Sequence, residues 1–502
     1  VITFPYRSLN YATTYTFTLP GNTVSDLAGN TLADAITLTF TTREKPIVEK
    51  KLYDFVIPDD GTFKEAIAAA NSRADKTVRF RIFVKKGTYE IPFDDKATSV
   101  GSDGKTYPAT TTNLTTSNVS IIGEDRDGTV LKNKTNPVLD SGADPLEGIG
   151  HNDLLQNTGS NNYFEDITLR NGSEDATGRN LAIQDKGDKT IMKNVTLWGY
   201  QDTWTSNNQR ARYYFEDGII RGRTDYICGK GDAFFNNVTF QNAGTGGYIA
   251  VPSQPKQYGW ILSGCTITGE DNANDGNYTL GRPWGSGTPI ALWINTTMES
   301  QPSAIGWGEM SGGWPARFAE YNSMTKSGTP IDLSSRKTVF GDNHANNPVL
   351  TADEAAQYTI ATVMGGDDEW DPQALTEQAS APEQVVLDGT TLTWKNSNYA
   401  LLWAVCKNGN VVAFTTEPTY TVDDATATWS VRAANEMGGL GDATVAGDAT
   451  GISNIENNTS AVVSTKVYSL NGQLLKAPVC GVNIIVSTKA DGTTETQKVI
   501  VR

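Results

Sequence analysis

The chain has 502 residues, a formal charge of −16 and a pI near 4.7. The length points to about two to four domains, and the acidity argues against nucleic acid or an anionic membrane as partner. No apolar run of about 18 residues occurs, so no helical membrane span is expected.

Residue types narrow the chemistry further. Cys228, Cys265, Cys406 and Cys480 are widely separated and form no CxxC pair, so neither a structural zinc nor a disulfide framework is implied. His151 and His344 are the only histidines and no GxSxG is present, which argues against a Ser-His-Asp esterase. Abundant Gly, Asn and Thr with short β-rich runs predict an extended β protein. The chain opens inside a strand pattern with no leader, so removal of an upstream segment is expected.

Residues 1–45 read as short strands, Tyr15-Thr16-Phe17-Thr18-Leu19 and Ile36-Thr37-Leu38-Thr39-Phe40, around a turn at Asp26-Leu27-Ala28-Gly29-Asn30. They resemble the last part of a bacterial Ig-like module, with a linker at Arg43-Glu44-Lys45-Pro46. A short helix is predicted after Asp60-Gly61-Thr62-Phe63, placed to cap a solenoid. Strands then recur at Arg81-Ile82-Phe83-Val84, Asn118-Val119-Ser120-Ile121-Ile122, Phe164-Glu165-Asp166-Ile167-Thr168-Leu169, Asn194-Val195-Thr196-Leu197, Asn237-Val238-Thr239-Phe240, Gly264-Cys265-Thr266-Ile267 and Ile290-Ala291-Leu292-Trp293-Ile294. Cys265 reads as a buried thiol. The pattern fades after Phe318-Ala319-Glu320-Tyr321, and a helix is expected over 351–358, with Asp353 and Glu354 suited to its dipole. Residues 372–382 read as a second linker. Alternating strands over 383–447 fit a small fibronectin-like or Ig-like sandwich. The tail, 448–502, carries a hairpin signal at Asn471-Gly472 and resembles C-terminal sorting domains of Gram-negative secreted proteins. The β-helix domain is assigned to 46–378.

The most informative stretch is 192–229. Met192 to Asp202 can be laid over Phe215 to Asp225 with a constant offset of 23 residues, pairing Asn194 with Asp217, Gly199 with Gly222 and Asp202 with Asp225. Such a period marks a β-solenoid, in which equivalent positions stack at ~4.8 Å. Asp166, Asn194, Asp217 and Asn237 extend the series at spacings of 28, 23 and 20 residues. Asp202 and Asp225 are therefore expected on adjacent coils. Two such carboxylates resist joint ionisation, which suits acid/base plus nucleophilic work. An Asp ladder that only caps turns fits the repeat equally well.

Several motifs resemble those of the pectin methylesterase family. Gly199-Tyr200-Gln201-Asp202-Thr203 resembles its Gln-Asp-Thr element, and Asp225-Tyr226-Ile227-Cys228-Gly229 its Asp-Phe-Ile-Phe-Gly element. Leu280-Gly281-Arg282-Pro283-Trp284 matches its Leu-Gly-Arg-Pro-Trp letter for letter. Gly87-Thr88-Tyr89-Glu90 and Gly306-Trp307-Gly308-Glu309-Met310-Ser311-Gly312 resemble an early and a late element. The resemblance covers roughly residues 50–370. It implies a right-handed parallel β-helix, with Ig-like or fibronectin-like β modules flanking it, that hydrolyses the galacturonate C6 methyl ester of pectin. Asp225 would be the nucleophile, Asp202 the acid and then the base, Gln201 an oxyanion donor, and Arg282 the partner of Asp225 that lowers its pKa. Trp284, Trp307, Met310 and Tyr226 would contact sugar.

Two departures stand out. Aligning Ala182-Ile183 with the family's Gln-Ala-Val-Ala-Leu stretch puts Arg179 where a Gln helps bind the oxyanion, so Arg179 is expected in the cleft. Cys228 replaces a Phe, as a loosened sugar contact or as core. The resemblance implies no cofactor or metal, methylated homogalacturonan as partner, a monomer, and a secreted, periplasmic or cell-surface location. The flanking modules carry none of the motifs and are expected to be dispensable for chemistry. The alternatives are a pectate lyase or polygalacturonase on the same fold, and a non-catalytic β-helix that binds carbohydrate.

Overall fold

The computed structural model describes residues 9–24, 31–45, 53–92, 94–100, 104–109, 111–133, 153–173, 175, 179–270, 276–397 and 399–448, with 462–469, 474–475, 481–489 and 494–501 of the tail. The predicted turn at residues 26–30, His151, the Asn471-Gly472 turn and Cys480 lie outside the described residues.

Three parallel sheets of nine, seven and ten strands wind into a parallel β-helix. The register follows the sequence offsets: Thr168 pairs with Thr196, Thr196 with Ile219 and Ile219 with Thr239. Inside the nine-stranded sheet this stacks Leu131, Leu169, Leu197, Ile220, Phe240 and Ile267 into one buried column. Every coil thus extends the same apolar core, the arrangement that makes a solenoid stable. The N-terminal end carries the helix Phe63–Ser72, begun by a reciprocal capping box between Thr62 and Glu65. The later expected helix is shorter, Ala352–Ala355, with the same device between Thr351 and Glu354.

One expectation needs correction. Asp166, Asn194, Asp217 and Asn237, read as strand residues, occupy left-handed turn positions with φ of 52, 50, 56 and 55°. Asn and Asp tolerate that conformation better than other non-glycine residues, so the series marks the corner between two sheets.

The ten-stranded sheet is apolar on both faces. Phe164, Met192, Phe215 and Phe235 point into the coil core, while Tyr163, Ile191, Tyr214 and Phe234 belong to a second cluster outside it. That outer face is covered by the helix Ile360–Met364, by Trp370, and by Leu401, Leu402, Ala404, Met437 and Leu440 of the following module. This module comprises two four-stranded sheets around Trp394, Trp403, Trp429 and Val431. Phe414 packs on Tyr53 and Phe83 at ring separations of 4.7 and 5.0 Å. The Glu124 carboxylate accepts from the Val411 N–H at 2.6 Å. Residues 372–382 are accordingly not a free linker. They begin with the helix Pro372–Thr376, and Gln378 Nε2 donates to Glu165 at 2.6 Å. Burying an apolar outer face drives this docking.

The N-terminal piece is a hairpin of Thr14–Leu19 and Ile36–Thr41. The tail forms a four-stranded antiparallel sheet.

Candidate active site

Asp202 and Asp225 stand at the entry to the seven-stranded sheet, just before the strands Trp204–Ser206 and Ile227–Gly229. Trp204 pairs with Ile227, and Gln201 bridges Thr224, so the two aspartates hold equivalent places on adjacent coils. Both are left-handed, with φ of 57 and 52°, and both are nearly buried, at 5 and 7% exposure. The turn needs Gly222, because a Cβ there would lie 2.2 Å from the Cβ of Tyr226.

The two carboxylates have different partners. Arg282, which follows the strand Thr279–Gly281 two coils on, grips Asp225 with both prongs: Nε donates to one oxygen at 2.9 Å and a terminal nitrogen to the other at 2.6 Å. The guanidinium lies over the Tyr248 ring at 3.8 Å, which fixes its plane. Asp202 pairs with Arg179, whose Nε lies 3.0 Å from its carboxylate, and accepts from the Cys228 thiol. Burial, then the negative charge of Asp225, push the Asp202 pKa up to about 6, against the pull of Arg179 and Cys228. Burial also raises Asp225, opposed by Arg282 and more weakly by Arg179. Arg282 lowers the Asp225 pKa as expected, but desolvation outweighs the ion pair and leaves the carboxyl above its ordinary value. Cys228 is held well above the ordinary thiol range by burial and by both aspartates, so it remains a donor.

Arg179, which sequence alignment alone placed here, is in the site. Gln201 is half-buried, and its side-chain amide makes no hydrogen bond among the described residues. Trp284 is 37% exposed and half-buried Met310 lies close by, since a Cβ on Gly313 would sit 2.3 Å from Gly285 O and 3.2 Å from Met310 O. Trp307 and Tyr226 are different. Trp307 has no exposed surface and stacks on Phe318 at 4.7 Å. Tyr226 is equally buried, and its hydroxyl donates to Asn242 at 2.9 Å. Both are core residues and correct the expected sugar contacts: each flanks a functional position, but its side chain turns inward along the strand. Sequence reasoning missed Tyr248, because nothing in the chain order reveals that the coil between Asp225 and Arg282 supplies the ring beneath the guanidinium. Among the described residues no cluster of three or more His, Cys, Asp or Glu side chains is arranged to hold a metal ion.

The family described as Pectinesterase matches residues 56–367, more than half of the chain. The chain belongs to the pectinesterase family. A bacterial Ig-like domain family matches residues 1–42. Pectinesterase A of Dickeya dadantii is 25% identical over 365 residues, covering 62% of this chain and 89% of that protein. A pectinesterase of Ralstonia solanacearum is 29% identical over 202 residues, covering 33 and 50%. The chain spans 26, 57 and 55% of the length of three larger pectinesterase relatives from Arabidopsis thaliana. Among solved structures, the pectin methylesterase from carrot superposes with a TM-score of 0.51 at 17% identity, covering 66% of this chain and 98% of that one. That likeness shows a shared parallel β-helix.

Proposed function

We propose that this pectinesterase-family chain hydrolyses the methyl esters of galacturonate in pectin, releasing methanol and leaving a free carboxylate. The observation that carries the reading is the unequal treatment of two stacked aspartates. One is clamped by Arg282, and the other is buried beside that negative charge with a pKa near 6. Such a split supplies one ionised and one protonated carboxyl group together.

In this mechanism an Asp225 oxygen attacks the ester carbonyl carbon, and the carbonyl electrons move onto the oxygen. Gln201 donates to that oxyanion; one such donor is worth roughly 2.7–4 kcal/mol of barrier. Arg179, paired with Asp202 at rest, is a second donor within the site. Collapse breaks the carbon–methoxy bond, and Asp202 gives its proton to the departing methanol. Asp202, now a carboxylate, takes a proton from water, which opens the acyl anhydride and restores Asp225. Ester plus water becomes acid plus methanol. Trp284 and Met310 offer apolar surface to the sugar. All of these groups come from one chain, so a monomer suffices. The substrate is a cell-wall polymer, so the enzyme acts outside the cytoplasm. Among the described residues no helix is long and apolar enough to cross a membrane.

The test is methanol release from methyl-esterified oligogalacturonides by wild type and Asp225→Asn. Wild-type turnover that the variant loses while keeping its Tm supports the reading. An ultraviolet-absorbing unsaturated product without methanol would identify a lyase instead, and binding with neither product would leave a carbohydrate-binding module.

A further inference from the structure

Asp202 and Asp225 precede the strands of the seven-stranded sheet. At the other end of those strands the chain turns a second corner, into the ten-stranded sheet. Register puts Arg79, Asn118, Asn161, Lys189 and Arg212 at equivalent places there on successive coils. Asn118, Asn161 and Lys189 are left-handed, with φ of 61, 57 and 61°. Asparagine suits such a turn, whereas lysine gains nothing from it. The corner geometry alone therefore does not account for Lys189.

The column carries three cations and two carboxylates. Arg212 donates to Asp188 at 3.1 Å and to Asp368 at 2.6 Å. Lys189 shares Asp368 at 2.5 Å. Arg79 is half-buried and has no carboxylate partner among the described residues. Its terminal nitrogens donate to Ser120 Oγ at 3.2 Å and to Asn161 O at 3.0 Å, which uses only part of a fork with five N–H donors. Burial first, then the positive charge of Arg81, push the Arg79 pKa down to about 9; Tyr163 opposes the shift and Arg73 adds to it.

This unmatched cation faces an internal space. Arg79, Asn118, Asn161 and Lys189 line a cavity of about 210 Å³. Trp370 and Leu375, from the segment after the coils, and Met437, from the following module, close it from outside. Water occupies ~30 Å³ per molecule in the liquid, so there is room for a phosphate or sulfate with part of its hydration. Apolar walls reduce competition from solvent and strengthen any charge pairing inside. Although the chain has a formal charge of −16, no carboxylate lines this cavity. A guanidinium left unmatched in such a place is matched to an oxyanion, which it meets with two prongs.

We propose that this corner cavity is an anion site, in which Arg79, with Asn161 and Lys189, binds a small oxyanion of the phosphate or sulfate kind. The bound anion supplies the missing counter-charge and fastens Trp370, Leu375 and Met437 onto the coil. The site is separate from the aspartate pair and does not depend on the esterase reading.

The experiment follows thermal unfolding of the full chain at constant ionic strength while chloride is exchanged for inorganic phosphate. Phosphate is kept to about 10 mM, below the range in which it stabilises proteins by exclusion from their surface. Wild-type Tm should rise and saturate, by about 2 °C or more, and sulfate should act in the same way. Arg79→Gln should abolish the rise. Since that change also removes two hydrogen bonds, a second variant is paired with it. Asn161→Asp keeps a residue suited to the left-handed corner and places a carboxylate beside Arg79. It should begin at or above the Tm of phosphate-saturated wild type and gain nothing further. Calorimetric titration with phosphate should show one site in wild type and none in either variant. A wild-type Tm that does not respond would overturn the proposal and leave a water-filled cavity. An equal rise in all three proteins would also overturn it, because the anion would then bind elsewhere. If Arg79→Gln does not fold, a full phosphate response in Asn161→Asp overturns it alone.

Discussion

The molecule contains two columns of acidic turn residues that look alike in sequence and serve different ends. One is the corner series Asp166, Asn194, Asp217 and Asn237; the other is the pair Asp202 and Asp225. Both are left-handed, and the 23-residue offset that separates Asp202 from Asp225 also separates Asn194 from Asp217. In the corner series carboxylate and amide alternate, so that Asn194 Nδ2 donates to Asp166 at 2.6 Å and Asn237 Nδ2 to Asp217 at 2.7 Å. No coil there places one carboxylate directly upon another. In the second column two carboxylates are consecutive, with Leu181 one coil before them and Tyr248 one coil after. In the first arrangement each carboxylate is met by the amide one coil on, and Lys193 also donates to Asp217. The second leaves mutual repulsion for Arg282 and Arg179 to manage. On the proposed reading, stacked like charges at equivalent positions distinguish chemistry from turn formation in this coil.

The sharpest way to test that distinction is to give both columns the same change. Asp225→Asn should lower kcat by at least about 10⁴-fold, the scale for losing a covalent nucleophile. Its Tm should be unchanged or higher, because a buried charge is removed. Retained turnover would place the nucleophile elsewhere and erase the contrast.

The corner column faces the C-terminal module across a cavity of about 1020 Å³ lined by Asp166, Lys193, Asn194, Asp217 and Arg432. Asp202, Asp225, Gln201 and Arg282 do not line it. Deleting residues from 383 onward should therefore act on stability first. It would expose Tyr53, Phe83, Ile122 and Tyr163, and at about 1.5–3 kcal/mol each the lost burial rivals the ~5–15 kcal/mol that holds a typical domain together. We expect an aggregating protein, or one whose Tm falls by more than about 10 °C. A truncated chain with wild-type Tm and wild-type turnover would show that the module is an independent bead.

Residues 372–382 read in the sequence as a linker, which misses this docking, although the chain carries a signal for it. Strands such as Ile290–Ile294 are apolar at successive positions, which means burial on both faces. The coil period, the Asp202–Asp225 stacking and the Arg282 clamp could be read from offsets and motifs, because a solenoid converts sequence distance into spatial adjacency. What could not be read is what depends on side-chain direction. Trp307 and Tyr226 flank candidate site residues yet turn inward, and Tyr248 reaches the site from a coil that no motif marks. Arg179 lay between these cases: alignment placed it in the site, but its pairing with Asp202 needed the fold.

That pairing gives a prediction for the acid. In the proposed mechanism Asp202 is protonated when methanol leaves, so its pKa of about 6 should set where kcat/KM falls as the pH rises. Arg179 and Cys228 lower this pKa, while burial and Asp225 raise it. Arg179→Gln removes a lowering influence, so the alkaline limb should move to higher pH, by about one unit for a partly exposed partner. The maximum should also drop if Arg179 helps hold the oxyanion. The two limbs belong to the coupled pair, so the readout is a full pH–rate series on short methylated oligomers. A limb that stays fixed or moves to lower pH would mean that Arg179 does not govern Asp202.

The smallest effect is expected in the corner column. Asp217→Asn keeps a residue that tolerates the left-handed turn, and Lys193 retains its second partner, Glu216. Stability at neutral pH should change by less than about 1 kcal/mol, and kcat/KM by less than about twofold. Asp217→Ala should cost about 1–2 kcal/mol more, because alanine pays for φ of 56°. The pH dependence has a definite sign. Burial works to raise the Asp217 pKa, but hydrogen bonds from Lys193 and Asn237 outweigh it and hold the group below its ordinary value. A carboxylate depressed in the folded state stabilises above its unfolded pKa, and that contribution is lost as pH falls through the folded one. Urea titrations of wild type and Asp217→Asn should therefore differ near pH 7 and converge in acid. A gap that persists in acid would mean that the Asp217 charge is not what the column uses, and a large loss of turnover would mean that the two columns do not divide the work as their partners suggest.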